Sequence, residues 1–233
     1  MKNDMTYNLI DYEKSNVSDF VNKLNEISQK ESIILEESDR AFFSMVAKHI
    51  IFLKYFITSL EKPKESNYIK TIISDLYFLV LSIINMEQRY IYVNIRSIIE
   101  NSIRMFTDIS VEENYSTKDI FEKIKVEIGR NDYSLLKSEY RVACNYIHGG
   151  SLLEDKLVFV LDEYSQNNKM SSKEKNSFYS RICRLIKIFD RQIILHYSEY
   201  VNGCFHRRKS LMEYLIGKGN VDLLFEVLKN NRK

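Results

Sequence analysis

The stretch Glu61-Lys62-Pro63-Lys64-Glu65-Ser66 holds the single proline of a 233-residue chain and divides two long apolar-periodic segments. Proline has no N–H to donate and disfavours the helical conformation in the residue before it, so a helix over about residues 36–60 has to end here. A second helix starts near Ser66, and two helices joined by so short a polar connection form a hairpin. Six glycines in the whole chain leave few other obligatory breaks. That scarcity favours long helices over a turn-rich β architecture, and the expected fold class is all-α.

Outward from the proline, the second helix carries Asp75, Leu79, Ile83, Met86, Tyr90 and Ile95 and can run to about Thr107. This is long for a globular helix, so a kink or break near residues 86–89 is an open alternative. Residues 108–118 are polar and read as a loop. Ile120, Phe121, Ile124 and Ile128 then recur at helical spacing, which predicts a short helix. Residues 129–132 make a turn, with Asp132 as N-cap of a helix over 133–148 that Gly149-Gly150 ends. Residues 156–161 are β-prone and fit a short strand or an extended or helical connector equally. A polar loop over 165–175 precedes an amphipathic helix over 176–201, built on Phe178, Ile182, Leu185, Ile188, Ile193 and Ile194. Beyond Gly203, residues 210–216 and 221–228 form a small helical hairpin. Its second half looks like half an ankyrin repeat, but one copy cannot bury its own face. The organisation expected is an N-terminal helical extension (1–35), a helical bundle (36–202) and a C-terminal hairpin (203–233).

Composition narrows function mostly by exclusion. A hydrophobic share of 45% supports a proper core, and a net charge of +2 provides no overall pull on nucleic acid, so RNA affinity has to come from a local patch. Cys144, Cys183 and Cys204 are far apart and odd in number, which fits a reducing cytosol and no zinc site. The first residues lack the pattern of a secretory signal, and residues 72–86 are too interrupted for a membrane span and read as a buried helix. A cytoplasmic protein with no membrane partner, no metal and no cofactor is expected. Gly-rich phosphate loops, His-Glu-x-x-His and Gly-x-Ser-x-Gly are all absent from the sequence, so nucleotide hydrolysis, zinc proteolysis and lipase chemistry have no support.

One segment does carry chemistry: Glu139-Tyr140-Arg141-Val142-Ala143-Cys144-Asn145-Tyr146-Ile147-His148. At about 100° per residue, Arg141 and His148 lie about 20° apart around a helix, with Asn145 between them. A cation that binds phosphate beside an imidazole that moves a proton is a minimal kit for cutting a phosphodiester. The alternative for His148 is a C-cap side chain bonded to terminal carbonyls, and for Arg141 a pairing with Glu139 or Glu127. On the earlier helix, Arg96 and Glu100 are four apart and can pair.

An arginine followed by six residues and a histidine near a helix end, together with Arg96-Ser97-Ile98-Ile99-Glu100 on an earlier long helix, resembles the HEPN superfamily over about residues 40–200. The resemblance implies an up-and-down bundle of long antiparallel helices, commonly dimeric. It also implies RNA binding or metal-independent endoribonuclease activity, as in toxins held by antitoxins and in abortive-infection defence against phage. By that resemblance His148 relays protons between ribose 2′-hydroxyl, phosphate and leaving 5′-oxygen, and Arg141 neutralises the phosphoryl oxygens. Catalytic members usually place a polar residue directly after the arginine, where this chain has Val142; Asn145 can reach the same face. Val142 is also what a non-catalytic HEPN-like module would permit, one that dimerises or regulates a partner protein. Arg96, Glu100 and the 141–148 face are expected to meet in one polar site. Arg184, Lys187 and Arg191 recur at i, i+3 and i+7 and, with Arg207 and Arg208, form the expected phosphate-tracking surface.

Overall fold

The computed structural model describes residues 2–61, 63–107, 116–148, 158 and 170–231, and among these every regular element is an α-helix. In chain order they are α1 (Lys2–Lys30), α2 (Glu37–Ser59), α3 (Pro63–Ile84), α4 (Gln88–Phe106), α5 (Thr117–Ile124), α6 (Arg130–His148), α7 (Ser172–Cys204), α8 (Lys209–Ile216) and α9 (Lys218–Asn230). The all-α expectation holds. Pro63 opens α3 at the position where its missing N–H costs nothing, and α2 and α3 form the hairpin its placement implied.

The long second helix is broken at residues 85–87. Met86 takes a left-handed φ of 56°, its N–H reaches the Ile83 carbonyl at 3.2 Å, and the Glu87 N–H reaches Ser82 at 2.9 Å. That pair of bonds is the Schellman termination, reached here without glycine. The chain then returns as α4, whose packing on α3 is the most extensive in the molecule. Further along α4, Ile95, Ile99 and Ile103 are buried, while Arg96 and Glu100 are half-buried at the seam with α6.

Three helix starts correct the sequence reading. α6 begins at Arg130, so Asp132 sits in its first turn and is not the N-cap; the Tyr133 N–H already bonds to the Gly129 carbonyl at 2.9 Å. α7 begins at Ser172, inside the stretch read as loop, because Ser171 and Glu174 form a reciprocal capping box. α5 likewise starts at Thr117, capped by Ser116 and Asp119. The Gly149-Gly150 stop and the loops read over 108–115 and 165–169 lie outside the described residues. Of residues 156–161 only Val158 is described; it is helical and exposed.

One contiguous core runs through the bundle. Phe43, Phe52, Phe56, Leu76, Ile99, Phe178 and Phe205 are each less than 2% exposed. Leu24 of α1 and Leu211, Met212, Val221 and Leu224 of the terminal hairpin join the same core. Two helices, Glu37–Ser59 and Glu65–Ile84, are long and apolar enough by length and composition to cross a membrane, and here about half of each lies inside the fold.

Candidate functional site

Helices α4 and α6 pack side by side and bring four polar side chains together. The Arg96 Nε donates to Glu100 Oε1 at 3.0 Å, and Arg96 Nη1 lies 3.2 Å from His148 Nε2. The Tyr140 hydroxyl donates to the same Glu100 oxygen at 2.5 Å, with Thr117 of α5 3.5 Å away. The guanidinium also stands 5.8 Å from the centre of the Tyr140 ring. A guanidinium only donates, so the contact requires Nε2 of His148 to accept, which puts the proton of the neutral ring on Nδ1.

Electrostatics fix the protonation state of two members of this group, Arg96 and Tyr140. Burial opposes the charge on Arg96, but the Glu100 bond and charge outweigh it and the guanidinium pKa is raised net. Burial, then the bond to Glu100, drives the Tyr140 hydroxyl well above its ordinary value. Tyr140 is therefore a neutral donor and Arg96 a fixed cation. With Arg96 and Glu100 each about 30% exposed and His148 exposed, a ligand can reach the group from solvent.

Of the sequence-assigned residues, the structure unites Arg96, Glu100 and His148. Arg141 and Asn145 are exposed and make no hydrogen bond or ion pair with a described residue. Two turns of helix, about 10 Å, separate Arg141 from His148 despite their shared face, so the arginine at the imidazole is Arg96. Val142 is half-buried and packs against the core. Arg184, Lys187 and Arg191 are all exposed on α7, as a stripe requires. Arg181, one turn earlier, is instead ion-paired with buried Glu139 of α6 at 2.8 Å. Arg207 and Arg208 follow the far end of α7, beyond a kink at Tyr197, and Arg208 acts on Tyr55 of α2. They do not belong to the α4–α6 site.

The role of Tyr140 as the hydroxyl that fixes Glu100 depends on the pairing of α4 with α6, which sequence alone does not show. On the same two helices, half-exposed Tyr146 stacks on buried Tyr92 with ring centres 3.9 Å apart and planes 14° apart. Among the described residues no group of three His, Cys, Asp or Glu side chains is placed to hold a metal ion. No protein-family model, curated protein or solved structure matches the chain.

Proposed function

We propose that this is an HEPN-like RNA-binding protein that cleaves phosphodiesters without metal, with His148 and Arg96 at the reacting group. The observation that supports this reading is the 3.2 Å approach of Arg96 Nη1 to His148 Nε2, with Arg96 anchored from behind by Glu100. In this scheme Arg96 Nη1 turns from Nε2 to the phosphoryl oxygens as the substrate seats, where it meets the charge that grows on them. The lone pair so vacated on Nε2 takes the proton of a ribose 2′-hydroxyl as that oxygen bonds to the adjacent phosphorus. The phosphorus–O5′ bond breaks, and the leaving oxygen recovers a proton from solvent. Arg141 and the Arg184, Lys187 and Arg191 stripe are assigned to flanking phosphates. The reading also carries the cytoplasmic setting, the homodimer and a toxin or phage-defence role held by a regulatory protein.

The test is incubation of the purified chain with labelled single-stranded RNAs in EDTA. Cleavage is expected to fall by about 10²–10⁴ in His148→Ala and about 10²–10³ in Arg96→Ala. Arg141→Ala and Arg184→Ala are expected to weaken RNA binding more than turnover. Cleavage unchanged in His148→Ala, or absent from every RNA, overturns the proposal. A second reading, a non-catalytic HEPN-like module that dimerises or holds a partner, is favoured by Val142 packing inward while Arg141 and Asn145 are left exposed beside it. It predicts RNA-independent self-association or partner capture that Arg141→Glu abolishes.

A further inference from the structure

We propose that the cleft between α1, α2 and α3 binds a small zwitterion of the amino-acid type, its ammonium at Glu13 and its carboxylate at Lys54. The cleft encloses about 460 Å³, within the range of about 300–1,000 Å³ usual for small-molecule sites. It shares no residue with the α4–α6 site and stands independently of the function proposed there.

Glu13 is the unusual element. Its side chain belongs to a residue only 5% exposed, yet neutral groups alone hold it: the Tyr55 hydroxyl donates to Oε1 at 2.7 Å and the Asn16 amide to Oε2 at 2.8 Å. Glu13 is ion-paired with no basic side chain among the described residues. A carboxylate withdrawn from water with no directly bonded counter-ion is costly, Arg208 acting only through space on its Tyr55 partner, and each of its oxygens still has a lone pair to offer. Tyr55 remains a donor, since burial and the Glu13 bond push its hydroxyl up to about 12.

Lys54 lines the same cleft from its exposed side. Its ammonium is bonded to the Tyr77 hydroxyl at 3.0 Å and lies 5.5 Å from that ring's centre, again with no carboxylate among the described residues. Two opposite charges therefore face one space without pairing with each other. The surface beside them is apolar, made of Ile50, Ile51 and Phe20, the last set edge-on to Tyr77 at 6.0 Å. A molecule with an ammonium, a carboxylate and an apolar side chain satisfies all three surfaces. A ligand with one charge leaves the other unmatched.

The experiment is calorimetric titration of the full chain with L-phenylalanine and L-leucine, and with 2-phenylethylamine, 3-phenylpropionate and 2-phenylethanol. At least one amino acid is expected to bind, with each single-charge analogue weaker by about tenfold or more and the alcohol silent. Glu13→Gln should weaken the amino acid and the amine but not 3-phenylpropionate, and Lys54→Met should weaken the amino acid and 3-phenylpropionate but not the amine. No amino-acid binding at millimolar concentration, alcohol binding as tight as the amino acid, or titrations unchanged in both variants overturns the proposal. If Glu13→Gln fails to show a native melt, the ranking on the wild type and the response of exposed Lys54→Met decide it.

Discussion

Arg96 makes its two polar side-chain contacts from different nitrogens, Nε to Glu100 and Nη1 to His148, at 3.0 and 3.2 Å. Lysine offers one nitrogen on a flexible stem and cannot hold both partners in one plane. Arg96→Lys is therefore expected to behave like Arg96→Ala in RNA cleavage, staying below about a tenth of wild type, and partial rescue by lysine would reduce Arg96 to a simple charge. Sequence periodicity made Arg96 and Glu100 visible as an i, i+4 pair and put His148 at a helix end. It could not show how far Arg141 stands from His148, since a wheel projection gives shared direction and hides the two turns of rise between residues 141 and 148. Tyr140 illustrates the same limit, because only the packing of α6 on α4 brings its hydroxyl to Glu100. A further residue-scale expectation concerns alkali. Tyr55, held up to about 12 against an ordinary 10, favours the neutral phenol in the fold, and Tyr140 is raised in the same direction. Their contribution to stability is complete below about pH 10 and is lost as pH rises through the folded values. Chemical denaturation from pH 9 to 12 should show a loss of stability that is shallower in Tyr55→Phe, and an identical slope in the variant would assign the loss elsewhere.

The elements owe their ends to side chains that ordinary helix rules undervalue. Ser32 and Met86 adopt left-handed φ values of 58° and 56° and close α1 and α3 by the same paired bonds, Ser32 to Gln29 and Ile33 to Ser28 in the first case. Few glycines correctly signalled long helices, but the same scarcity concealed these stops, since nothing in the residue type marks Met86 as a left-handed cap. Sequence reading could place a break near residues 86–89 only from excessive length. Helix starts were misplaced for a related reason: at α7 the Ser171–Glu174 box lies in a polar stretch that resembles a loop until its reciprocal bonds are seen. Met86 supplies a direct measurement. In a helix interior alanine is more stable than glycine, but at positive φ the order inverts. Met86→Gly is expected to exceed Met86→Ala in stability by about 1 kcal/mol, or roughly 2–4 °C in Tm for a chain of this size. Both variants lose the same half-buried side chain, so their difference isolates the backbone. Alanine equal to or above glycine would mean that residues 85–87 relax into continuous helix.

At the scale of the whole molecule, the seam between α2 and α7 joins residues up to 140 positions apart in the chain. The Tyr179 hydroxyl donates to buried Asp39 at 2.6 Å, and Lys175 joins the same carboxylate at 3.0 Å. Deeper in the seam, His49 Nδ1 stands 2.7 Å from Asp190 Oδ1, with both side chains almost fully enclosed. That contact is off the line of a good hydrogen bond, so the seam's strength rests more on the aromatic packing of Phe42 on Tyr179 at 4.1 Å. Beyond α7 the chain folds back, and Phe205 slots against Phe52 and Tyr55 with ring centres 5.7 and 5.6 Å away. Leu211, Met212 and Leu224 follow it into the same core, each fully buried. Sequence could see the terminal hairpin as a separate segment bounded by glycines, but not that its apolar stripe covers the middle of α2 and the end of α7. Full burial of such side chains contributes about 1.5–3 kcal/mol each, so removing four of them costs an amount comparable with the entire stability of a domain, about 5–15 kcal/mol. A chain ending at residue 202 is thus expected to retain helical circular dichroism yet lose its cooperative thermal transition and bind an apolar dye. Far-UV melts of the 1–202 fragment beside the full chain would measure this, and a sharp, dye-silent transition in the fragment would show the hairpin to be a separable appendage.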